Sequence, residues 1–462
     1  MSVTGAIMVP HPPIILPEVG RGEEKKLSAT DEAYRKAAML VGELKPETLV
    51  LISPHSVAYA DYFHISPGER AKGDMRQFRA PQVKIQVDCD SVFAETLETF
   101  AVAADFPAGK LGERNRELDH GTMIPLYYVN QFYTDYQLVR VGLSGLTLKE
   151  HYLLGRMIQR TAEALNRRIV VIGSGDLSHK LRADGPYGLS KEGPLYDERI
   201  MDVMGRAAFD ELLDFDEVFC DKAAECGHRS FCIMAGALDG LAVETQKLNH
   251  EGTFGVGYGV CTYRVIGRDE SRRLLEKWTT RHQKSLVEKR RREDAYVQLA
   301  RASIESWVSE RKRVSLPEDL PEEMLKEQAG VFVSIHRDGK LRGCIGTIQA
   351  VKNSIAEEIV ENGISAATKD PRFRPVRTDE LDALEISVDV LGKAEKISSK
   401  EELDVKRYGV IVTKGFRRGL LLPNLDGVDT VDEQISIALS KAGLSEQEKH
   451  FVMERFEVVR HG

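Results

Sequence analysis

Short apolar runs alternate with longer amphipathic segments through the first half of this chain. The runs at 5–9, 48–52 and 169–172 have the length and the β-branched content of buried strands. Between them, segments such as 31–44 and 147–166 place their apolar side chains on one helical face. Strands and helices that alternate in this way build an α/β domain. We therefore predict an α/β N-terminal domain with a central mixed sheet flanked by helices.

Three of these apolar runs are followed closely by a histidine, and these residues are His11, His55 and His179. Open α/β sheets bind their ligands in the crevice outside the carboxyl ends of the strands. A histidine after a single strand is usually a capped or hydrogen-bonded loop residue. Three imidazoles at one sheet edge instead favour a metal site or an acid–base site.

Length, charge and motifs exclude several classes of protein. With 462 residues the chain is expected to form two or three domains, and its net charge of −8 argues against a nucleic-acid partner. Six cysteines without a C-x-x-C pair are expected to be reduced thiols. The N-terminus lacks the basic region of a signal peptide and no apolar run could span a bilayer, so we expect a cytoplasmic protein without a membrane partner. Gly255-x-Gly257-x-Gly259 lies inside a strand pattern, so no nucleotide cofactor is predicted.

Two imidazoles and one carboxylate on one face form the ligand set of non-haem Fe(II) oxygenases. His11 and His55 can supply the imidazoles. The third ligand is expected from the segment that holds Glu225, Cys226 and His228, just before an apolar stretch at 231–241 that is expected to be helical. Glu225 would sit at the start of that helix, where a carboxylate is also favourable without any metal.

Two further histidines have the surroundings of acid–base groups. His179 ends the flexible turn Gly-Ser-Gly-Asp-Leu-Ser-His, which can present its ring to a ligand. His120 follows Asp119, and this or another carboxylate could orient the imidazole. Histidine suits proton transfer because its pKa lies near neutrality.

Four motifs in this order and at this spacing carry a resemblance to a known family. They are Val9-Pro-His-Pro-Pro, Ser53-Pro-His-Ser, Leu118-Asp-His-Gly-Thr and Ser174-Gly-Asp-Leu-Ser-His-Lys. The set resembles the class III extradiol ring-cleavage dioxygenases of the LigB type, together with the related Memo family, over residues 5–266.

The resemblance implies a role for each candidate residue. His11, His55 and Glu225 would be ligands of Fe(II), His179 the base that deprotonates a catecholic substrate, and His120 its acid–base partner. A small aromatic substrate and O₂ would meet at the open metal positions.

The residue after Glu225 leaves a second interpretation open. Memo-like proteins carry a cysteine rather than a carboxylate in this region, and Cys226 stands here. A thiolate ligand would favour softer metals such as Cu(I) or Zn(II). The alternative function is therefore a Memo-like metal-binding module that does not cleave rings.

Composition changes after the first half. We predict a LigB-like domain at 1–267, a basic helical linker at 268–292 and a second domain at 293–462. Between residues 272 and 292 there are nine Lys/Arg and two Glu, typical of a solvated connecting helix, with a phosphate- or partner-binding face as the alternative. Two alternating runs joined through Asp338-Gly339 predict a hairpin, and further strands and helices predict an α+β C-terminal domain.

Three segments of this second domain closely resemble the AMMECR family over residues 293–460. They are Leu341-Arg-Gly-Cys-Ile-Gly-Thr, Lys369-Asp-Pro-Arg-Phe-Arg-Pro-Val and Leu384-Glu-Ile-Ser-Val-Asp-Val-Leu. Cys344 is interpreted either as a small core residue between glycines of a bulge, or as a reactive thiol activated by Arg342. Memo-like and AMMECR-like proteins resemble two components of a bacterial system with a radical-SAM enzyme, so a radical-SAM protein is the implied partner. A homo-oligomer stays open.

Overall fold

A computed structural model describes residues 2–114, 117–425, 427–446, 448 and 450–462. The chain forms two compact units, Met1–Arg281 and His282–Gly462. The domain boundaries predicted at residues 267 and 292 stay predictions. Within the described residues, no helix combines the length and the apolar character that crossing a membrane requires.

The first unit contains strands and helices in alternation. Its strands are β1 (Val3–Val9), β2 (Thr48–Ser53), β3 (Phe63–His64), β4 (Arg70–Met75), β5 (Ala80–Asp88), β6 (Ala108–Gly109), β7 (Gln137–Gly142), β8 (Ile169–Ser174), β9 (Leu241–Glu251) and β10 (Tyr258–Arg268). Its helices are α1 (Pro17–Gly20), α2 (Ser28–Leu44), α3 (Ser91–Ala103), α4 (His120–Val129), α5 (Leu148–Ala164), α6 (Glu192–Arg206), α7 (Glu217–Ala223) and α8 (His228–Gly236), and α9 (Leu274–Arg291) runs on past residue 281.

Six strands form the central sheet in the order β7-β2-β8-β1-β10-β9. The first four run parallel, whereas β10 and β9 are antiparallel to their neighbours. Both faces of the sheet are covered: Ala6 and Met8 of β1 pack into one apolar cluster, and Ile7 and Val9 into another. The predicted α/β domain with a mixed sheet flanked by helices is confirmed.

This topology brings three of the histidine-bearing segments together. Because β1, β2 and β8 are parallel neighbours, their carboxyl ends meet at one edge of the sheet. His11, His55 and His179 follow these ends, and α4 begins with His120.

Strand β9 departs from the prediction. The apolar stretch 231–241 was expected to be helical throughout, but α8 ends at Gly236 and the chain then enters β9. This strand forms the edge of the sheet, and most of its side chains are exposed or half-buried. An edge strand of this kind lacks the apolar periodicity by which buried strands are recognised.

The second unit combines antiparallel sheets with helices, and its predicted α+β class is confirmed. Its strands are β11 (Val331–Arg337), β12 (Lys340–Gly346), β13 (Leu384–Leu391), β14 (Glu395–Ile397), β15 (Gly409–Lys414), β16 (Arg417–Leu421), β17 (Val452–Phe456) and β18 (Val458–His461). Its helices are α10 (Ala295–Glu310), α11 (Glu322–Lys326), α12 (Ile355–Thr368) and α13 (Val431–Lys441). The two sheets have the orders β12-β11-β13-β18 and β14-β17-β15-β16.

The predicted hairpin is present and explains part of the AMMECR-like motif. Asp338 and Gly339 join β11 to β12, and both have positive φ angles (49° and 78°), as a tight hairpin turn requires. A Cβ atom on Gly343 would lie 2.3 Å from the carbonyl oxygen of Ala366, so this glycine lets α12 approach the strand. Arg342 donates to the carboxylate of Glu380 at 2.9 Å, which holds its guanidinium in an ion pair.

Candidate metal centre

Two imidazoles and a thiol converge at the carboxyl edge of the central sheet. The Nε2 atoms of His11 and His55 lie 3.0 Å apart, and the Sγ atom of Cys226 lies 3.6 Å from His11 Nε2. The ligand atoms of the three residues all lie within 4.8 Å of one another. His11 follows β1, His55 follows β2, and Cys226 belongs to the turn between α7 and α8.

The hydrogen bonds around His11 determine which ring nitrogen carries its proton. The hydroxyl of Ser174 donates to the carbonyl oxygen of Gly121 at 2.6 Å, so its oxygen is left to accept from His11 Nδ1 at 2.9 Å. Nδ1 of His11 therefore bears the proton, and Nε2 presents a lone pair to His55 and Cys226. A bond at the other nitrogen fixes metal-ligating histidines in the same way.

Asp119 anchors the segment that holds His120. Its carboxylate caps α4 by accepting from the backbone N–H of Thr122 at 2.9 Å, and it also accepts from the hydroxyl of Ser53 at 2.6 Å. The backbone N–H of His55 donates to the same hydroxyl at 3.2 Å. This network brings the rings of His55 and His120 to 4.0 Å between centroids. Asp119 thus connects the loop after β2 to the start of α4.

Burial keeps these imidazoles neutral at pH 7. Burial, with help from His55, lowers the pKa of His11 to about 3. Burial also lowers the pKa of His55, and that of His120 to about 4 with added repulsion from His55 and His11. Neutral imidazole is the form that binds metals, and three neutral rings pack together without charge repulsion.

Cys226 has the surroundings of a sulfur ligand. The backbone N–H of Asp176 donates to its Sγ at 3.3 Å. Burial, followed by repulsion from Asp176 and Glu225, raises the pKa of this thiol. A bound cation has the opposite effect on this pKa, because a thiol that coordinates a metal ion loses its proton outright. The donor set of two neutral imidazoles and one sulfur therefore suits a metal ion of borderline or soft character.

Glu225 lies beside the cluster and has another task. Its carboxylate accepts from the backbone N–H of His228 at 2.6 Å, at the beginning of α8. Burial raises the pKa of Glu225 to about 7. The group of converging ligand atoms contains Cys226, not this carboxylate. Glu225 thus precedes α8 and accepts from the first backbone N–H of that helix, rather than lying in its first turn.

The ring of His179 is held through its Nδ1 atom. Its Nδ1 donates to the carbonyl oxygen of Ala224 at 2.6 Å, so Nε2 carries the lone pair. A protonated His179 would lower the pKa of both His11 and His55. The ring of the exposed Tyr187 lies edge-on to it at 5.2 Å.

Next to His55 the site opens into a polar cavity of about 370 Å³ that Arg140 and Asp119 also line. Phe78 packs edge-on against His120 at 5.2 Å, close to this side of the site. The sequence motifs contained Ser174 and Asp176, but neither was predicted to have a role. Their contacts reveal these roles. The Ser174 hydroxyl fixes the His11 ring, and the Asp176 carboxylate accepts from the His11 backbone N–H at 2.8 Å.

Comparison with known proteins identifies the families of the two parts of the chain. The family described as the catalytic LigB subunit of aromatic ring-opening dioxygenase matches residues 5–261. The chain belongs to this family. The AMMECR1 family matches residues 297–461, so the chain joins a LigB domain to an AMMECR1 domain. The LigB family is one of extradiol-type dioxygenases, which implies a metal cofactor.

Relatives match the whole chain or a share of it. A protein of Clostridium acetobutylicum is 39% identical over 100% of this chain and 99% of its own length. A protein of Thermotoga maritima is 50% identical over 37% of this chain and 98% of its own length. The crystal structure of an uncharacterized protein from Pyrococcus horikoshii matches with 32% identity and a TM-score of 0.34, over 36% of this chain and 88% of that one.

Proposed function

We propose that the LigB domain is an extradiol-type dioxygenase that holds Fe(II) with His11, His55 and Cys226 and cleaves a small aromatic diol with O₂. The supporting observation is the convergence of two imidazole nitrogens and one sulfur within 4.8 Å at the carboxyl edge of the sheet. Two histidines and one further ligand leave coordination positions open for two reactants. Cys226 replaces Glu225 as the third ligand in this proposal, since the Glu225 carboxylate is bound to the backbone of α8.

The residues around the ligands supply the proton chemistry. Bound iron would act as a Lewis acid and bring the diol and O₂ together. His179 accepts a hydroxyl proton of the diol at Nε2, because the carbonyl oxygen of Ala224 keeps the other proton on Nδ1 and stabilises the imidazolium that forms. His120, whose ring lies 4.0 Å from that of His55, is the proposed acid–base partner of His179.

Anaerobic loading with Fe(II), followed by O₂ uptake with catechol and 4-nitrocatechol, tests this function. The wild-type chain should consume O₂ with at least one diol, and His179→Gln should lower kcat by about 10²–10⁴-fold, the usual contribution of a general base. His450→Gln, an exposed histidine of the second unit, is the matched control and should retain full activity. Absence of O₂ uptake with every diol by iron-loaded protein would refute ring cleavage.

Cys226 also favours a second candidate function. A thiolate in the ligand set suits Zn(II) or Cu(I) as well as Fe(II). The alternative proposal is a Memo-like metal-binding module that does not cleave rings and acts with a radical-SAM protein. The fusion of LigB and AMMECR1 domains in one chain supports such a shared task.

The metal content and one substitution separate the two functions. Protein purified without chelator should contain iron if it is a dioxygenase, and zinc or copper if it is the module. Cys226→Asp converts the ligand set to two histidines and a carboxylate, and should preserve Fe(II) binding while weakening Zn(II) and Cu(I) binding. The module function further predicts a complex with the radical-SAM protein of the same organism in size-exclusion chromatography. It also predicts that added diols cause no O₂ uptake.

A further inference from the structure

The second unit contains a cavity of about 580 Å³ that the proposed dioxygenase reaction does not use. We refer to it as the basic cavity. Its walls come from the end of α9, the start of α10 and the paired strands β11 and β13. The cationic residues that line it are Lys289, Arg290, Arg292 and Arg301.

Two carboxylates in the cavity lining form ion pairs with two of these cations. Glu293 accepts from Arg301 Nε at 2.9 Å, and Glu385 lies 2.5 Å from Lys289 Nζ. Both carboxylates also line the basic cavity. Arg290 Nη1 also lies 3.7 Å from Asp382, a fully exposed carboxylate outside the lining. The four cations and two carboxylates of the lining itself leave a net charge of about +2.

Two buried guanidinium N–H groups indicate more specifically that the ligand is an anion. Nε of Arg290 and Nη1 of Arg301 are buried and lack a hydrogen-bond partner among the residues that the structure describes. Glu305 Oε1 lies 3.8 Å from Arg301 Nη1, beyond hydrogen-bond distance. Arg301 as a whole is only 9% exposed. Buried donors without an acceptor are unfavourable, and those of arginine match the oxygens of a phosphate or carboxylate.

The remaining wall of the basic cavity is apolar. Leu286, Leu384 and Ile386 line it, and each is buried. A solvated connecting helix would explain exposed Lys and Arg along α9, but it would explain neither the buried donors nor this apolar wall. Ligand sites combine apolar walls with a few polar groups that orient the ligand.

We propose that the basic cavity binds a small organic phosphate, with its apolar group against Leu286, Leu384 and Ile386 and its phosphate at Arg290, Arg292 and Arg301. The net charge of about +2 on the lining side chains matches the two charges of a phosphate monoester at neutral pH. The AMMECR1 domain thereby gains a ligand site of its own, independent of any metal in the first unit.

Isothermal titration of the full-length chain with phenyl phosphate tests this site. Phenyl phosphate should bind saturably, and inorganic phosphate should bind more weakly because it lacks the apolar group. Arg292→Ala should raise the Kd about tenfold, as expected for the loss of one charge-assisted contact. Arg290→Ala should have a similar or larger effect, with thermal unfolding measured in parallel because Arg290 also donates to the backbone of Leu381.

Arg291→Ala is the matched control, since Arg291 is the neighbour of Arg292 on the chain, is exposed and lies outside the cavity lining. It removes the same charge and should leave the Kd unchanged. Equal losses in the Arg291 and Arg292 variants would show general electrostatic attraction and overturn the proposal. Failure of phenyl phosphate to bind, or equal affinity for inorganic phosphate, would also overturn it. Each result is independent of Fe(II) and of diol cleavage.

Discussion

At the scale of single residues, the chemistry of the candidate site depends on hydrogen bonds that set proton positions. Ser174 assigns the proton of His11 to Nδ1, and the carbonyl oxygen of Ala224 assigns that of His179 to the equivalent nitrogen. In the neutral form of each ring, Nε2 thus carries the lone pair. One ring can then bind a metal ion and the other can accept a proton, although the two are the same residue type.

Removal of the Ser174 hydroxyl should weaken metal binding. Ser174→Ala leaves His11 Nδ1 without its acceptor and frees the ring to change its proton position. Loss of such a supporting group typically costs 10–100-fold in metal affinity, and we expect about that range. Competition with a chromophoric chelator for Fe(II) or Zn(II) measures it.

Two further variants make this measurement specific. Ser174→Thr keeps the hydroxyl and should retain most of the affinity. Ser306→Ala removes a half-buried hydroxyl of the second unit and should leave the metal affinity unchanged. An unchanged affinity in Ser174→Ala would show that the serine does not orient His11.

At the scale of elements, the site is built where strand ends meet a helix start. Parallel pairing of β1, β2 and β8 places the segments that follow them side by side, and the first residue of α4 supplies His120. Asp119 serves as the N-cap of that helix and also binds Ser53 of β2. A capping residue in this position affects both stability and the geometry of the imidazoles.

Asp119→Ala should therefore reduce stability and metal affinity together. Loss of an N-cap costs about 1–2 kcal/mol, and the metal affinity should also fall because His55 and His120 lose their common anchor. Urea unfolding and chelator competition measure the two effects. Asp294→Ala removes the N-cap of α10 in the second unit and should lower only stability. If Asp119→Ala left metal affinity at the level of the Asp294 variant, the anchoring role would be refuted.

At the scale of the whole molecule, the chain consists of two compact units with separate apolar cores. The three candidate metal ligands all belong to the first unit, and the basic cavity belongs to the second. Each unit also contains one of the two tryptophans of the chain, Trp278 in the first and Trp307 in the second.

Metal should stabilise only one of the two units. A ligand that binds the folded state at about 100 times its Kd adds about 2.7 kcal/mol of stability. Fluorescence of Trp307→Phe, which retains Trp278, should report an unfolding transition that shifts upward when metal is added. Fluorescence of Trp278→Phe, which retains Trp307, should report a transition that does not shift. Equal shifts of both transitions would contradict separate unfolding of the units.

Much of the fold and part of the site follow from the sequence. Apolar runs of strand length, the caps of helices and the Asp338-Gly339 turn are local signals, and the structure contains the elements they predict. The edge strand β9 gave no such signal because its side chains are largely solvent-exposed. Histidines placed after three separate strands likewise indicated a shared site, since parallel pairing aligns the strand ends.

The choice between Glu225 and Cys226 required the tertiary structure. The two residues are adjacent in the same turn, so neither hydrophobic periodicity nor motif spacing distinguishes them. The direction of each side chain depends on how this turn packs against the segment after β8, where the backbone N–H of Asp176 meets the sulfur of Cys226. The carboxylate of Glu225 instead accepts from the backbone N–H of His228 at the start of α8. Sequence alone determined which segments build the site, whereas contacts between residues 50 positions apart decided which atom faces the two imidazoles.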